Sequence, residues 1–210
     1  MKRLILMLLL VTTMVMAGFD EEEFDETQFH SGVKVGLTMA NITGDDAKDN
    51  ENFSLDFNFG FEIGAFTIYH INNQMTLTPE ILFTQKGYTV SPKGYASDIN
   101  YSLNYIQLPV LLGFKTAPGL KLYGGGYISY FTSAWVSSSD ATSSQESDAE
   151  KELEKDTSDF DMGIVVGATF KGTDNLIFDF RYERGFTTLD KDGDADAFNH
   201  SFNLSVGWLY

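Results

Sequence analysis

An all-β fold, specifically an eight-stranded antiparallel up-and-down transmembrane β-barrel, is predicted by three features of the sequence. Eight stretches alternate apolar residues with polar or small ones, the connections between them alternate long and short, and the chain ends in an alternating aromatic strand that closes on Tyr210. A period of two marks a strand with two unlike faces. Long loops at one end and short turns at the other are the habit of barrels that cross an outer membrane.

The chain opens with Lys2 and Arg3, then an apolar run over residues 4–16, with Val15 and Ala17 at the −3 and −1 positions of a cleavage site. That anatomy predicts a signal peptide over residues 1–17 and export. A membrane-spanning helix needs about 20 apolar residues, and this run is shorter. No later segment is apolar enough for such a helix, so any crossing must be made by strands. Residues 18–31 read as an acidic N-terminal tail on the periplasmic side, and residues 32–210 as the barrel domain.

In the first strand Val33, Val35, Leu37 and Met39 oppose Lys34, Gly36, Thr38 and Ala40. In the second, Phe57, Phe59, Phe61 and Ile63 oppose Asn58, Gly60, Glu62 and Gly64. The third sets Leu77, Pro79, Ile81 and Phe83 against Thr78, Glu80, Leu82, Thr84 and Lys86. The fourth sets Ile106, Leu108, Val110, Leu112 and Phe114 against Tyr105, Gln107, Pro109, Leu111 and Gly113. The fifth, over residues 120–135, is rich in aromatics and carries Gly124, Gly125 and Gly126, and its faces stay unassigned. The sixth opposes Phe160, Met162, Ile164, Val166 and Phe170 to Asp161, Gly163, Val165, Gly167 and Thr169. The seventh opposes Leu176, Phe178, Phe180 and Tyr182 to Ile177, Asp179, Arg181 and Glu183, and the eighth Phe202, Leu204, Val206, Trp208 and Tyr210 to Ser201, Asn203, Ser205 and Gly207. Long connections fall at residues 42–56, 89–100, 135–159 and 187–199, and short ones at 70–74, 116–119 and 171–175.

Alternation leaves two orientations open. A soluble lipocalin-like barrel turns its apolar face inward around a ligand, whereas a membrane barrel turns it outward. The polar face here mixes glycine with charges of both signs: Lys34, Glu62, Glu80, Lys86, Asp161, Asp179, Arg181 and Glu183. A narrow lumen suits small residues and mutually paired charges, so these eight are expected to form a lumenal polar network. Aromatics near strand ends (Tyr69, Tyr88, Tyr101, Tyr123, Trp135, Tyr182, Trp208, Tyr210) read as interfacial girdles. The outward orientation is therefore preferred, with the soluble periplasmic barrel as its competitor.

Several stretches carry a resemblance. GVKVGLTMANITG at residues 32–44, PEILFTQKGY at 79–88, LNYIQLPVLLGF at 103–114, LYGGGYISYF at 122–131, FDFRYERGFTTL at 178–189 and HSFNLSVGWLY at 200–210 together resemble the Bacteroidota outer-membrane β-barrel family that includes PorT-like proteins. The resemblance implies the fold, residence in the bacterial outer membrane, and assembly by the barrel machinery that reads a C-terminal aromatic strand. It supplies no catalytic residues, and a secretion-accessory role like that of PorT is implied only weakly.

Formal charge is −16, and loss of Lys2 and Arg3 with the leader would take it to −18, since the first acidic residue is Asp20. So acidic a chain repels phosphate backbones, so no nucleic-acid partner is expected. Cysteine is absent, which removes disulfides, thiolate chemistry and a lipid-anchoring cysteine. The histidines are His30, His70 and His200. His30 falls in the tail and His70 in a short turn, while His200 and Ser201 are adjacent and must point to opposite faces of a strand. No catalytic set is expected, which leaves a lipid-modifying enzyme as the weakest alternative. Asp190, Asp192, Asp194 and Asp196 alternate in one loop and are weak candidates for a cation, but Gly193 comes too early for an EF-hand loop and no closing Glu follows. No metal or cofactor is expected. Residues 137–158, rich in Ser, Glu and Lys, read as a loosely ordered extracellular loop. The expected partners are outer-membrane lipids and lipopolysaccharide, and the expected state is a monomer.

Overall fold

The computed structural model describes residues 29–44, 53–93, 97–138, 143–191 and 196–210. The predicted signal peptide and most of the acidic tail lie outside these residues. Eight strands follow in chain order: β1 (Phe29–Thr43), β2 (Phe53–His70), β3 (Met75–Pro92), β4 (Ile99–Ala117), β5 (Leu120–Ser138), β6 (Phe160–Lys171), β7 (Leu176–Thr188) and β8 (Phe198–Leu209). Each pairs antiparallel with its neighbours, and β1 also pairs with β8, which closes the barrel. Closure leaves the strands without a free edge along the wall, the condition a sheet must meet in a medium that offers no hydrogen bonds. β1 begins at Phe29, so the barrel starts three residues ahead of the boundary expected at residue 32.

The period of two sorts the side chains as the alternation predicts. Phe59 is 73% exposed and Phe180 53%, while Glu62 is 0% and Arg181 1% exposed. With β5 left aside, the apolar sets assigned to the other seven strands face away from the axis, which excludes a lipocalin-like barrel with an apolar interior. Strands of 12 to 19 residues exceed the roughly 9–11 residues a tilted strand needs to cross a bilayer.

Two readings are corrected here. Tyr123 belongs to no outer girdle: it is buried inside the barrel, where its hydroxyl donates to Asp179 Oδ2 at 2.7 Å. The longest connection is not loosely ordered, because it contains helix α1 (Ser143–Asp156). The cause lies in β5, which pairs with β6 only as far as Tyr130. Beyond that point its outer edge is bare of strand partners, and α1 covers it. Glu146, Glu150 and Glu154 accept hydrogen bonds from the backbone N–H groups of Ser138, Val136 and Ala134 at 3.1, 3.2 and 3.1 Å. Four helical residues advance about 6.0 Å and two strand residues about 6.7 Å, so the two ladders keep step. Leu153 of α1 packs with Leu189 on the cluster of Leu103, Tyr105, Phe131 and Ala134, and Lys191 reaches Asp159 at 3.0 Å. Replacing Glu146, Glu150 and Glu154 together with alanine is expected to raise amide exchange at Ala134, Val136 and Ser138 by about tenfold, the scale of a lost charge-assisted hydrogen bond. Unchanged exchange at those three amides would mean that the helix does not protect this edge.

Candidate functional site

The chain's densest polar chemistry lies inside the barrel. The inward positions of β1, β2, β3, β6 and β7 bring Lys34, Glu62, Glu80, Lys86, Asp161, Asp179, Arg181 and Glu183 together, every one buried. In the half nearer the short turns Arg181 grips Glu80 with both terminal nitrogens, at 2.9 and 3.1 Å. Its Nε donates to Asp179 at 2.9 Å. Lys34 Nζ lies 2.9 Å from Glu80, 3.5 Å from Glu62 and 3.9 Å from Asp179. In the other half Lys86 pairs with Glu183 at 3.0 Å and Asp161 at 3.7 Å. An Arg181–Glu183 approach of 3.9 Å joins the halves. Fork-to-fork geometry makes the Arg181–Glu80 pair the strongest contact of the set.

Neutral groups that the sequence reading left out of the network complete it. Tyr127 donates to Asp161 at 3.1 Å, and the Lys86 ammonium lies 4.2 Å from the centre of the Tyr127 ring. Gln107 donates to Glu183 at 2.9 Å and accepts from Ser129 at 3.0 Å, and Asn199 donates to Asp161 at 3.1 Å. Two of the lumenal tyrosines, Tyr123 and Tyr127, come from β5, and their rings lie over glycines of β6. A Cβ on Gly167 would stand 2.5 Å from the Tyr123 hydroxyl oxygen, and one on Gly163 would stand 2.7 Å from the Tyr127 ring. The close approach, not backbone freedom, requires glycine at these two positions.

Three cations face five carboxylates in this set, and with Lys121, which lines the same space, four cations still leave a small negative excess. Around Lys34, Glu80 and Arg181 the free space is only about 20 Å³, which holds roughly one water. At this level the barrel is filled by its own side chains. At the end with the short turns, Phe66, Ile68, Ile177 and Leu209 form an apolar cluster.

His200 packs against Phe57 on the outer wall, with ring centres 5.5 Å apart, while Ser201 is fully buried inside. The two cannot meet. The structure departs from the sequence reading at His30, which lies in β1 and not in a tail. Its ring meets that of His70, the last residue of β2, at 5.3 Å. Of the four loop aspartates, Asp192 and Asp194 lie outside the described residues. Asp190 forms a bridge with Thr157. Among the described residues no group of three or more His, Asp or Glu is placed to hold a metal ion.

A family model described as the outer membrane protein beta-barrel domain matches residues 20–191. Among solved structures, Neisserial surface protein A (NspA) superposes with a TM-score of 0.52 at 16% identity, covering 85% of this chain and 96% of that one. The attachment invasion locus protein Ail of Yersinia pestis aligns at 17% identity and a TM-score of 0.48, over 87% of this chain and 99% of that one. At such identities the likeness concerns the fold alone. Among curated proteins none matches the chain.

Proposed function

Because the chain belongs to the outer membrane protein beta-barrel domain family, and is thereby an outer-membrane β-barrel, we propose that it is a non-enzymatic monomer that acts through its extracellular loops. The observation that carries this reading is the filled lumen. With about 20 Å³ free around the Arg181 cluster, the lumen at that level leaves no room for a solute to pass. The chemistry left for function is at the loop end, where α1 is held on β5 by three carboxylates. A leader over residues 1–17 would export the chain, and the C-terminal aromatic strand would present it to the barrel assembly machinery. Lipids and lipopolysaccharide would then surround the apolar belt. Within the family, the stretches at residues 79–88 and 103–114 support a PorT-like member from Bacteroidota. A secretion-accessory role is the second reading, favoured only by that likeness.

The test is trypsin applied to intact cells, with the purified protein placed in a planar bilayer. Cleavage after the exposed Lys151 and Lys155 of α1 without permeabilising the cells, together with no steady current, is the expected result. Cleavage there only in permeabilised cells, or a stable open conductance, would refute the proposal.

A further inference from the structure

The mouth of the barrel at the short turns opens into a cavity of about 420 Å³, a size that suits a small organic ligand. Its charged or titratable lining among the described residues is His30, His70, Lys115, Lys121, Lys171 and one carboxylate, Asp174. Two of the lysines are already engaged. Lys171 holds Asp174 at 2.9 Å in the turn between β6 and β7. Lys121 belongs with the lumenal network, where it interacts with Glu80 and Asp179. Its stem crosses Gly113, where a Cβ would stand 2.7 Å from the lysine Cδ. With these two lysines assigned and the histidines neutral, one positive charge is left at the rim, on Lys115.

Lys115 is exposed, and its place is unfavourable for a cation. It stands directly opposite Lys121 in the β4–β5 register, and like charges so placed destabilise an antiparallel pair. His70 feels Lys115, His30 and Lys121 as like charges, and the His30 and His70 rings meet edge to face at 5.3 Å. An anion seated among these groups relieves the repulsion and accepts hydrogen bonds from an ammonium and two imidazole N–H groups. Ile68, Ile177 and Leu209 line the same cavity with apolar surface.

We infer that this mouth is a binding site for an amphiphilic monoanion, whose oxyanion is taken by Lys115, His30 and His70 and whose apolar part lies on Ile68, Ile177 and Leu209. The one unbalanced charge at the rim sets the ligand's charge at one. The cavity is far larger than a bare ion fills, and its apolar surface calls for a hydrocarbon part attached to the charged group. A free carboxylate with an alkyl chain and the phosphodiester of a phospholipid both carry this chemistry. The site lies at the end of the barrel opposite α1, so it goes beyond the loop-mediated function proposed above and stands independently of it.

The test is amine acetylation of the full chain in phosphatidylcholine vesicles, with each lysine read by mass spectrometry and octanoate as the probe. At about ten times its dissociation constant, octanoate is expected to slow acetylation of Lys115 by about tenfold. The exposed Lys151 and Lys155 of α1 should react at unchanged rates. Octanol, which enters the vesicle without a charge, and acetate, which has no alkyl chain, should leave Lys115 unprotected at the same concentration. With His30→Ala and His70→Ala together, the octanoate concentration giving half-protection should rise by about tenfold, the scale of lost hydrogen bonds to a charged group. Shielding in phosphatidylglycerol vesicles without octanoate would assign the oxyanion to a lipid headgroup, and shielding by octanoate alone to a free carboxylate. Either result supports the site. Acetylation of Lys115 unaffected by both octanoate and phosphatidylglycerol would overturn the proposal. Equal protection by octanol would also overturn it, as would an unchanged half-protecting concentration in the double variant.

Discussion

Arg181→Met is expected to cost about 3–5 kcal/mol of stability, the scale for removing one partner from a buried, hydrogen-bonded ion pair. The loss would appear as a lower urea midpoint for unfolding from lipid vesicles. Arg181 is 1% exposed and makes two contacts with Glu80 and further ones with Asp179. Without it, Glu80 and Asp179 would keep Lys34 as their one ion-pair partner within 4 Å among the described residues, and Lys34 also lies near Glu62. Glu80→Gln combined with Arg181→Met is expected to recover part of that loss, since neighbours in one network do not add. Glu62→Gln provides the contrast. Glu62 is buried, its one cation lies at 3.5 Å, and Lys34 has a closer partner in Glu80. Removing that charge is expected to be neutral, or to stabilise by up to about 1 kcal/mol, because it relieves the negative excess. If Arg181→Met and Glu62→Gln shift the midpoint equally, the network does not work as described.

Leu204→Arg tests the other face. Leu204 lies midway along β8, pairs in register with Leu37 of β1 and Phe180 of β7, and is 59% exposed. All three sit on the belt that meets acyl chains. A cation there should cost about 2–4 kcal/mol in a bilayer, and far less in a detergent that lets the side chain reach water. The neighbouring residues Asn203 and Ser205 are 1% exposed and point inward. Equal stability of Leu204→Arg and the parent protein in vesicles would contradict a lipid-facing belt.

The strands were legible because on most of them a single pattern decides both faces. Phe59 and Glu62, or Phe180 and Arg181, differ so strongly in their cost of exposure that the period of two survives without any tertiary information. β5 gave no such signal. Gly124, Gly125 and Gly126 carry no polarity, and Tyr123 and Tyr127 turn inward because carboxylates on β6 and β7 accept from their hydroxyls. An aromatic residue on a membrane strand suggests the outer wall until its hydrogen-bond partner is known. The same holds for α1. Its Glu146, Glu150 and Glu154 repeat every four residues, a visible pattern, but alone it describes a solvated acidic face. What makes it structural is a run of unpaired amides on β5, which depends on where β6 stops. Gln107 and Asn199 could have been assigned to the interior from their inward positions, since an amide placed there must bond to something.

The clasp between helix and ribbon also bears on surface display. The longest connection is the obvious place to graft a foreign epitope, yet an insert that displaces Glu146, Glu150 or Glu154 would leave up to three N–H groups of β5 on an open border. An uncovered border of that kind invites pairing with a second chain.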